Sequence, residues 1–351
     1  MAGTKVWCLL GRKAGDNVQV RALAAELGFA CEEKRIVARP WELLVHLGPG
    51  AGLGGIDRRR SSPLRPPWPD LVITAGRRNE PVARWIRHQS GGHTRLVHIG
   101  RPWAPLDCYD LIVTTPQYFL PQAPNILHNE LPLHRLLSED LREAGDVLQA
   151  RWENLPRPWI AVLVGGDSGR FVFTPDKARK LGADCDRLAR ARGGSLLISD
   201  SPRTPAKAGD ALMAQINAPC YSYRFREGGE NPYMGFLATA DEFVVTGESM
   251  SMLAEASSRG RPLHIFDMGD GDTAWWRLRH NYRYKPLSHR LAMRFGPRRM
   301  RRDVGNIQQA LVASGRANWL GEETRLPPAS AGTNDELAAT AARVRRLLQP
   351  N

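Results

Sequence analysis

Three short stretches hold the residues best suited to chemistry, and each follows an apolar run. GGDSGR (Gly165–Arg170) follows WIAVLV. SDSPRT (Ser199–Thr204) closes SLLISDS. TGESMS (Thr246–Ser251) follows EFVV. Glycine lets a backbone approach a ligand closely, and free amides at a helix start attract anions. Gly165, Gly166, Ser168 and Arg170 therefore suit a phosphate-contacting loop, or simply form a turn after a strand. Arg203 offers a planar fork that matches phosphate oxygens, and Thr204 adds a hydroxyl. A lone loop arginine is equally well accounted for by solvation. Ser249 or Ser251 can cap the next helix, and Glu255 lies about one turn into it. A carboxylate there suits a ribose diol or faces solvent. Three anion-friendly loops at corresponding strand ends point together to a nucleotide diphosphate.

A fourth stretch, GRKAGDN (Gly11–Asn17), follows the apolar run VWCLL. Gly11 and Gly15 do not make G-x-G-x-x-G. Asp16 and Asn17 are candidate helix caps, and Asp16 is also the candidate general base. Arg77, after DLVITAG, completes this group. DMGDGD (Asp267–Asp272) contains a D-x-D but lacks the twelfth-position glutamate of a calcium loop, so it reads as a capped turn. The nine histidines show neither H-x-x-x-H nor H-E-x-x-H spacing, so no metal site is expected. G-x-S-x-G and the P-loop are absent from the sequence.

The elements that must position these loops alternate strand with helix or loop, the pattern of parallel α/β sheets. Strands are expected at Lys5–Leu10, Glu32–Val37, Asp70–Gly76, Thr94–Gly100 and Asp110–Thr115. A second set covers Trp159–Gly166, Ser195–Ser201, Cys220–Phe225 and the two runs flanking TGESMS. Helices are expected over VQVRALAAELG, EPVARWIRHQSGG, Pro175–Arg192, Ala206–Asn217, Val304–Ala317 and Asp335–Leu348. In such sheets ligands sit beyond the carboxyl ends of the strands. NLPRP marks a boundary near residue 155. The expected organisation is residues 1–155 and 156–330 as two Rossmann-like domains, with 331–351 a terminal helix.

The 351 residues suffice for two cores. No apolar run reaches the length of a spanning helix, and the first apolar run is too short for a signal peptide. The net charge of +13 favours polyanionic partners. Arg58–Arg60 and a cluster from Arg290 to Arg302 carry part of it, and no RNA-binding or zinc-finger signature makes nucleic acid the partner. Five scattered cysteines, Cys8, Cys31, Cys108, Cys185 and Cys220, suggest buried thiols in a reducing, cytoplasmic compartment.

The segments AGDNVQVRALAAELG, DLVITAGRR, LVHIGRPWAPLDCYDLIVTTPQYFLP, LVGGDSGRF, SDSPRTP and GENPYMGFLATADEFVVTGESMSMLAEASSRGRPLHIFD resemble the mitochondrial fission ELM1 family. That family in turn looks like glycosyltransferases of the GT-B fold. The resemblance implies two Rossmann-like domains facing across a cleft, with a C-terminal helix returning to the first. The second domain would bind a nucleotide-diphosphate sugar as donor substrate, with no tightly bound cofactor. Glu255, Gly260 and Pro262 fall at the spacing of the ribose-binding pattern of lipid-linked N-acetylglucosamine transferases. Ser249 and Met252 depart from that pattern's glycine and threonine. GRKAGD stands where those enzymes have G-x-x-G-G-H, with Asp16 at the histidine. The implied activity is metal-independent transfer of a sugar to an acceptor, lipid-linked or not, with Gly11, Gly15, Asn17 and Arg77 on the acceptor side. The alternative is a non-catalytic scaffold that recruits a protein partner. Basic clusters leave peripheral contact with an anionic membrane open.

Overall fold

A computed structural model describes residues 3–42, 45, 50–269, 275, 278, 286–297, 301–322 and 335–349. The chain divides into two units. The first comprises Met1–Arg135, Gly296–Asp303 and Asn334–Asn351; the second comprises Leu136–Phe295 and Val304–Thr333.

The first unit is built on a parallel sheet of β1 (Val6–Leu10), β2 (Cys31–Arg35), β3 (Leu71–Ala75), β4 (Arg95–Ile99), β5 (Leu111–Thr114) and β6 (Ile126–His128), in the order 2-1-3-4-5-6. β1 and β3 are buried at every position, as expected for parallel strands covered on both faces. Their apolar runs therefore do not alternate. Helix α1 (Ala14–Leu27) buries Val20, Leu23, Ala24 and Leu27, the i, i+3, i+4, i+7 stripe of a helix facing a core. It stops at Gly28, whose φ of 72° suits a residue without Cβ. Helix α2 (Glu80–Gln89) follows β3.

The second unit is a parallel sheet of β7 (Trp159–Leu163), β8 (Ser195–Ser199), β9 (Cys220–Tyr223), β10 (Glu242–Thr246), β11 (Leu263–Phe266) and β12 (Asn318–Trp319). The order is β9-β8-β7-β10-β11-β12. Counted within the unit this is 3-2-1-4-5-6, the strand order of the Rossmann fold. Its helices are α3 (Ser138–Leu148), α4 (Pro175–Arg192), α5 (Ala206–Met213), α6 (Tyr233–Thr239), α7 (Met250–Ser257), α8 (Pro286–Phe295) and α9 (Gly305–Ala313). α4 shows why its ends are readable: Thr174 accepts from the Lys177 amide, Pro175 opens the helix, and Gly193 ends it at φ 64°.

α10 (Asp335–Leu347) packs on α1 and belongs to the first unit. Leu337, Ala341 and Val344 join the core of Val20, Leu23 and Leu27. Burying the Leu and Val side chains stabilises by about 1.5–3 kcal/mol each. Polar contacts fix the register: Asn129 Nδ2 donates to Thr340 Oγ1 at 3.1 Å, and Arg345 donates to the Glu26 carbonyl at 2.6 Å. Two Rossmann-like units and a terminal helix returned to the first are thus present.

Three sequence expectations change. The stretch ahead of residue 155 goes with the second unit, because α3 packs against α6 and the Trp152 ring meets the Phe236 ring edge-to-face at 5.0 Å. β12 is a two-residue edge strand that the sequence pattern did not signal. Cys8 and Cys31 form a disulfide between neighbouring strands, contrary to the expectation of free thiols. Parallel pairing of β1 with β2 sets Val6 beside Cys31, which brings Cys8 within a diagonal step of it. Cys185 is buried, and Cys108 and Cys220 are half-buried. Among the described residues no helix is long and apolar enough to cross a membrane.

Candidate functional site

Each sheet has a point where successive connections run to opposite sides, and ligands bind at such points, beyond the strand carboxyl ends. In the second unit it lies between β7 and β10. Residues of the loops after β7, β8 and β10 meet beside it: Gly165 and Gly166, Ser201, Arg203 and Thr204, and Thr246, Glu248 and Ser249.

Gly165 and Gly166 continue β7. The Gly165 amide donates to Thr246 Oγ1 at 2.8 Å, and the Ser201 hydroxyl donates to the Gly165 carbonyl. A Cβ on Gly165 would lie 2.1 Å from Glu248 Oε1 and 2.9 Å from Ser249 Cβ. Gly166 has φ 104°, and a Cβ there would lie 2.4 Å from the Arg203 carbonyl oxygen. Glycine is required at both places because the loops after β7, β8 and β10 interlock.

Arg203 lies across this junction. It donates to the Asp167 carbonyl and to Ser249 Oγ, both at 3.3 Å, and sits 3.8 Å from Glu248 Oε1. Its side chain is 39% exposed, whereas that of Glu248 is fully buried. Glu248 Oε2 has no hydrogen-bond partner among the described residues. Burial pushes the Glu248 carboxyl up to about 7, against the opposing pull of Arg203, its own amide, the Thr246 hydroxyl and the Gly166 amide. Sequence reading passed over Glu248. Its only signal was position, an acid between Gly247 and Ser249 directly after a buried strand.

The GGDSGR loop differs from a phosphate cradle. The Asp167 amide donates to the Arg203 carbonyl at 3.0 Å, and Ser168 and Phe171 exchange backbone hydrogen bonds in a tight turn. Arg170 lies over the Phe171 ring at 4.8 Å. α4 begins only at Pro175, so no helix N-terminus follows the glycines directly. Thr204 is buried and turns its hydroxyl to the Gly165 carbonyl at 3.3 Å. The Arg203 guanidinium is partly exposed, and α7 opens after Ser249 without a side-chain cap, its first residues buried. Ser251 is the second residue of that helix. Glu255, in its second turn, accepts from the Tyr233 hydroxyl, and burial raises its carboxyl against that bond. Its side chain is half-buried, and this bond ties α7 to Tyr233 of α6.

In the first unit the equivalent point lies between β1 and β3. A small pocket of about 30 Å³ opens there, lined by Gly11, Arg12, Lys13, Asp16, Asn17 and the β3–α2 loop, Ala75–Asn79. α1 begins at Ala14, ahead of the expected start, so Asp16 falls in its first turn and caps nothing. Asn17 instead brackets Gly11, accepting from its amide and donating to its carbonyl at 2.9 Å each. Asp16 Oδ2 sits 4.0 Å from Lys13 Nζ. Arg77 lies on the Trp103 ring at 4.4 Å, and Arg78 pairs with Glu42 at 2.6 Å. The structure gathers Gly11, Asp16, Asn17 and Arg77; Gly15 lies beside them in α1, exposed and outside the pocket lining.

Asp267 accepts from the Gly269 amide at 2.8 Å, the capped turn expected of DMGDGD; Asp270 and Asp272 lie outside the described residues, as do Arg298 and Arg299. Among the described residues no three His, Cys, Asp or Glu side chains gather as a metal site.

Comparison with known proteins shows what the whole chain is similar to. The mitochondrial fission protein ELM1 of Arabidopsis thaliana is 28% identical over 232 residues, 60% of this chain and 53% of that protein. The chain thus spans about half the length of that relative. Among solved structures, UDP-N-acetylglucosamine 2-epimerase from Rickettsia bellii matches with TM-score 0.49 at 9% identity, over 99% of this chain and 96% of its own. The Escherichia coli ADP-heptose lipopolysaccharide heptosyltransferase II matches with TM-score 0.44 at 13% identity, over 98% of each. A family model described as mitochondrial fission ELM1 matches residues 14–348, and the chain belongs to that family.

Proposed function

We propose that the chain is a glycosyltransferase of the GT-B type, or a close derivative, whose second unit binds a nucleotide-diphosphate sugar. The observation that carries this reading is Arg203 lying across the β7/β10 switch point, tethered by the Asp167 carbonyl, Ser249 Oγ and the buried Glu248. A guanidinium preorganised in this way meets a diphosphate without losing side-chain freedom on binding. The uncapped start of α7 adds a favourable dipole. As the glycosidic bond to the donor breaks, negative charge grows on the leaving diphosphate. Arg203 and the α7 amides stabilise that charge more in the transition state than in the ground state. Asp16 is assigned the general base that takes the proton from the acceptor hydroxyl. The donor is a substrate, and the reading includes no tightly bound cofactor. A net charge of +13 supports work beside anionic ligands or an anionic membrane surface.

Titration of the full chain with UDP, GDP and ADP, followed by turnover on panels of their sugars, tests the reading. One nucleotide is expected to bind at micromolar level. Arg203→Ala should weaken it about tenfold to a hundredfold, the loss of a charge-assisted contact. Asp16→Asn should abolish turnover and leave nucleotide binding unchanged. Binding of none of the three overturns the reading and favours the scaffold that recruits a protein partner.

A further inference from the structure

We infer that the stretch from Trp275 to Phe295 in the second unit, with α8 at its end, is an interfacial element that lays the protein on an anionic lipid bilayer. Two independent observations meet there, one of charge and one of exposure.

From Trp275 to Phe295 the sequence has five arginines, one lysine and neither aspartate nor glutamate. The acid-free run continues to Arg302 with four more arginines. Ten of the thirteen net positive charges of the chain thus fall in one short region, and the rest of the sequence is close to balanced. A basic run that is only a solvated tail carries few apolar groups. This one interleaves Trp275, Trp276, Leu278, Tyr282, Tyr284, Leu287, Leu291 and Phe295 with its cations.

The apolar groups face water. Among the described residues, Trp275 and Phe295 are the most exposed large apolar side chains of the protein, at 74% each. Leu278 and Leu291 follow at 52% and 50%. In α8, Leu287, Leu291 and Phe295 recur every four residues and share one stripe of the helix. Arg290 and Arg294 run along one edge of that stripe and are exposed too. The Arg294 guanidinium lies over the Phe295 ring at 5.3 Å. Exposed apolar side chains gathered beside charge mark a contact surface.

The chemistry of these groups selects the partner. Nucleic acid would stack bases on the aromatic rings and pair phosphates with arginine, but it offers nothing to Leu278 or Leu291. A bilayer surface meets both kinds of group at once. Anionic headgroups attract the arginines, while tryptophan, leucine and phenylalanine enter the acyl boundary. Arginine stems lie along apolar surface and keep their charge at headgroup level. At ten residues α8 spans about 15 Å, half the hydrocarbon thickness, so it rests in the interface and does not cross. The inference is independent of sugar transfer and holds equally for a scaffold.

Co-sedimentation of the full chain with vesicles tests it without nucleotide or turnover. Phosphatidylcholine vesicles carrying phosphatidylglycerol as about a third of their lipid should bind at least about tenfold more tightly than phosphatidylcholine alone. Arg290→Gln/Arg294→Gln should weaken that binding about tenfold to thirtyfold, the loss of two surface charges. Leu291→Ser/Phe295→Ser should weaken it about tenfold, and what remains should vanish at high salt. All four side chains are exposed, so neither variant should move the thermal melt. Trp275→Ser, which leaves α8 untouched, should act in the same direction. Single-stranded polyuridylate is the competing polyanion. Equal binding to both kinds of vesicle, or binding to neither, overturns the inference. So does vesicle binding that survives the arginine variant, which puts the contact elsewhere. Binding of vesicles and polyuridylate that the apolar variants leave unchanged assigns the face to nucleic acid and overturns it as well.

Discussion

The two switch points have the same topological origin and opposite electrostatic character. Between β1 and β3, cations line a small pocket, and the nearest buried carboxylate, Glu80, is turned away into hydrogen bonds. Between β7 and β10, the loops close on one another, and a single arginine sits over a fully buried glutamate. Parallel strand order dictates where a binding site can form, because it dictates where neighbouring loops diverge. It does not dictate what binds. That is set by the few side chains carried on those loops, and by how much room the backbone leaves them.

The interlocked character of the second site predicts its sensitivity. Gly166→Ala should be the most damaging change considered, at about 3–5 kcal/mol. The new methyl would meet the backbone of Arg203 and Thr204 at 2.4–2.7 Å, and φ of 104° disfavours any side chain. Backbone atoms cannot rotate away. Urea denaturation of the variant should show a large fall in midpoint, with nucleotide binding lost too, since Arg203 would shift. A change under about 1 kcal/mol would mean the loops are loosely packed and the contrast between the two edges is false.

Much of this architecture was legible. β7, β8, β10 and β11 announced themselves as unbroken apolar runs because both faces of each strand are buried. α4 carried its own start and stop signals in Thr174, Pro175 and Gly193. The loops at the strand ends were found for the same reason. Partner choice within them was not. Glu255 and Tyr233 lie in different elements, and nothing local says that a tyrosine will take that carboxylate. Glu248 was passed over because its burial follows from the bare surface of Gly165 packed against it, which is no local signal. The Cys8–Cys31 pairing depended on which strand lies beside β1, a fact of sheet order and not of spacing. α1 began early because Gly15 and Asp16, read as a loop, form its first turn.

Glu248 distinguishes the two edges by pH. Its carboxyl is raised from 4.5 to about 7, so between those values the unfolded chain has released a proton that the folded chain retains. The stability it contributes is complete below pH 4.5 and declines as pH rises towards 7. Glu248→Gln removes that decline. The difference in stability, wild type minus variant, should therefore favour the wild type more at pH 4.5 than at pH 8, by about 2–3 kcal/mol. Glu80 titrates in the same direction but is present in both proteins, so it cancels in the difference. Chemical denaturation of the pair at several pH values measures this directly. A difference that is flat with pH would mean Glu248 is ionised throughout, and that Arg203 neutralises it completely.

The open edge should tolerate the change that the closed edge does not. Gly76, after β3, has φ 70°, and a Cβ there would lie 2.5 Å from Asp16 Oδ2 and 3.5 Å from Asp16 Cγ. No backbone atom crowds it, and the Asp16 carboxylate is the far end of a side chain that can rotate. Gly76→Ala should therefore cost only the left-handed backbone strain and a rotamer shift, about 1–2 kcal/mol. Its sharper effect is functional. Moving Asp16 away from its position against Gly76 should alter its 4.0 Å approach to Lys13, and with it the rate at which the Lys13 amine is acylated. Burial holds the Lys13 ammonium below its ordinary value against the pull of Asp16, so loss of that ion-pair partner should lower it further and make the amine react faster. If Gly76→Ala proves as destabilising as Gly166→Ala, the first edge is as tightly interlocked as the second.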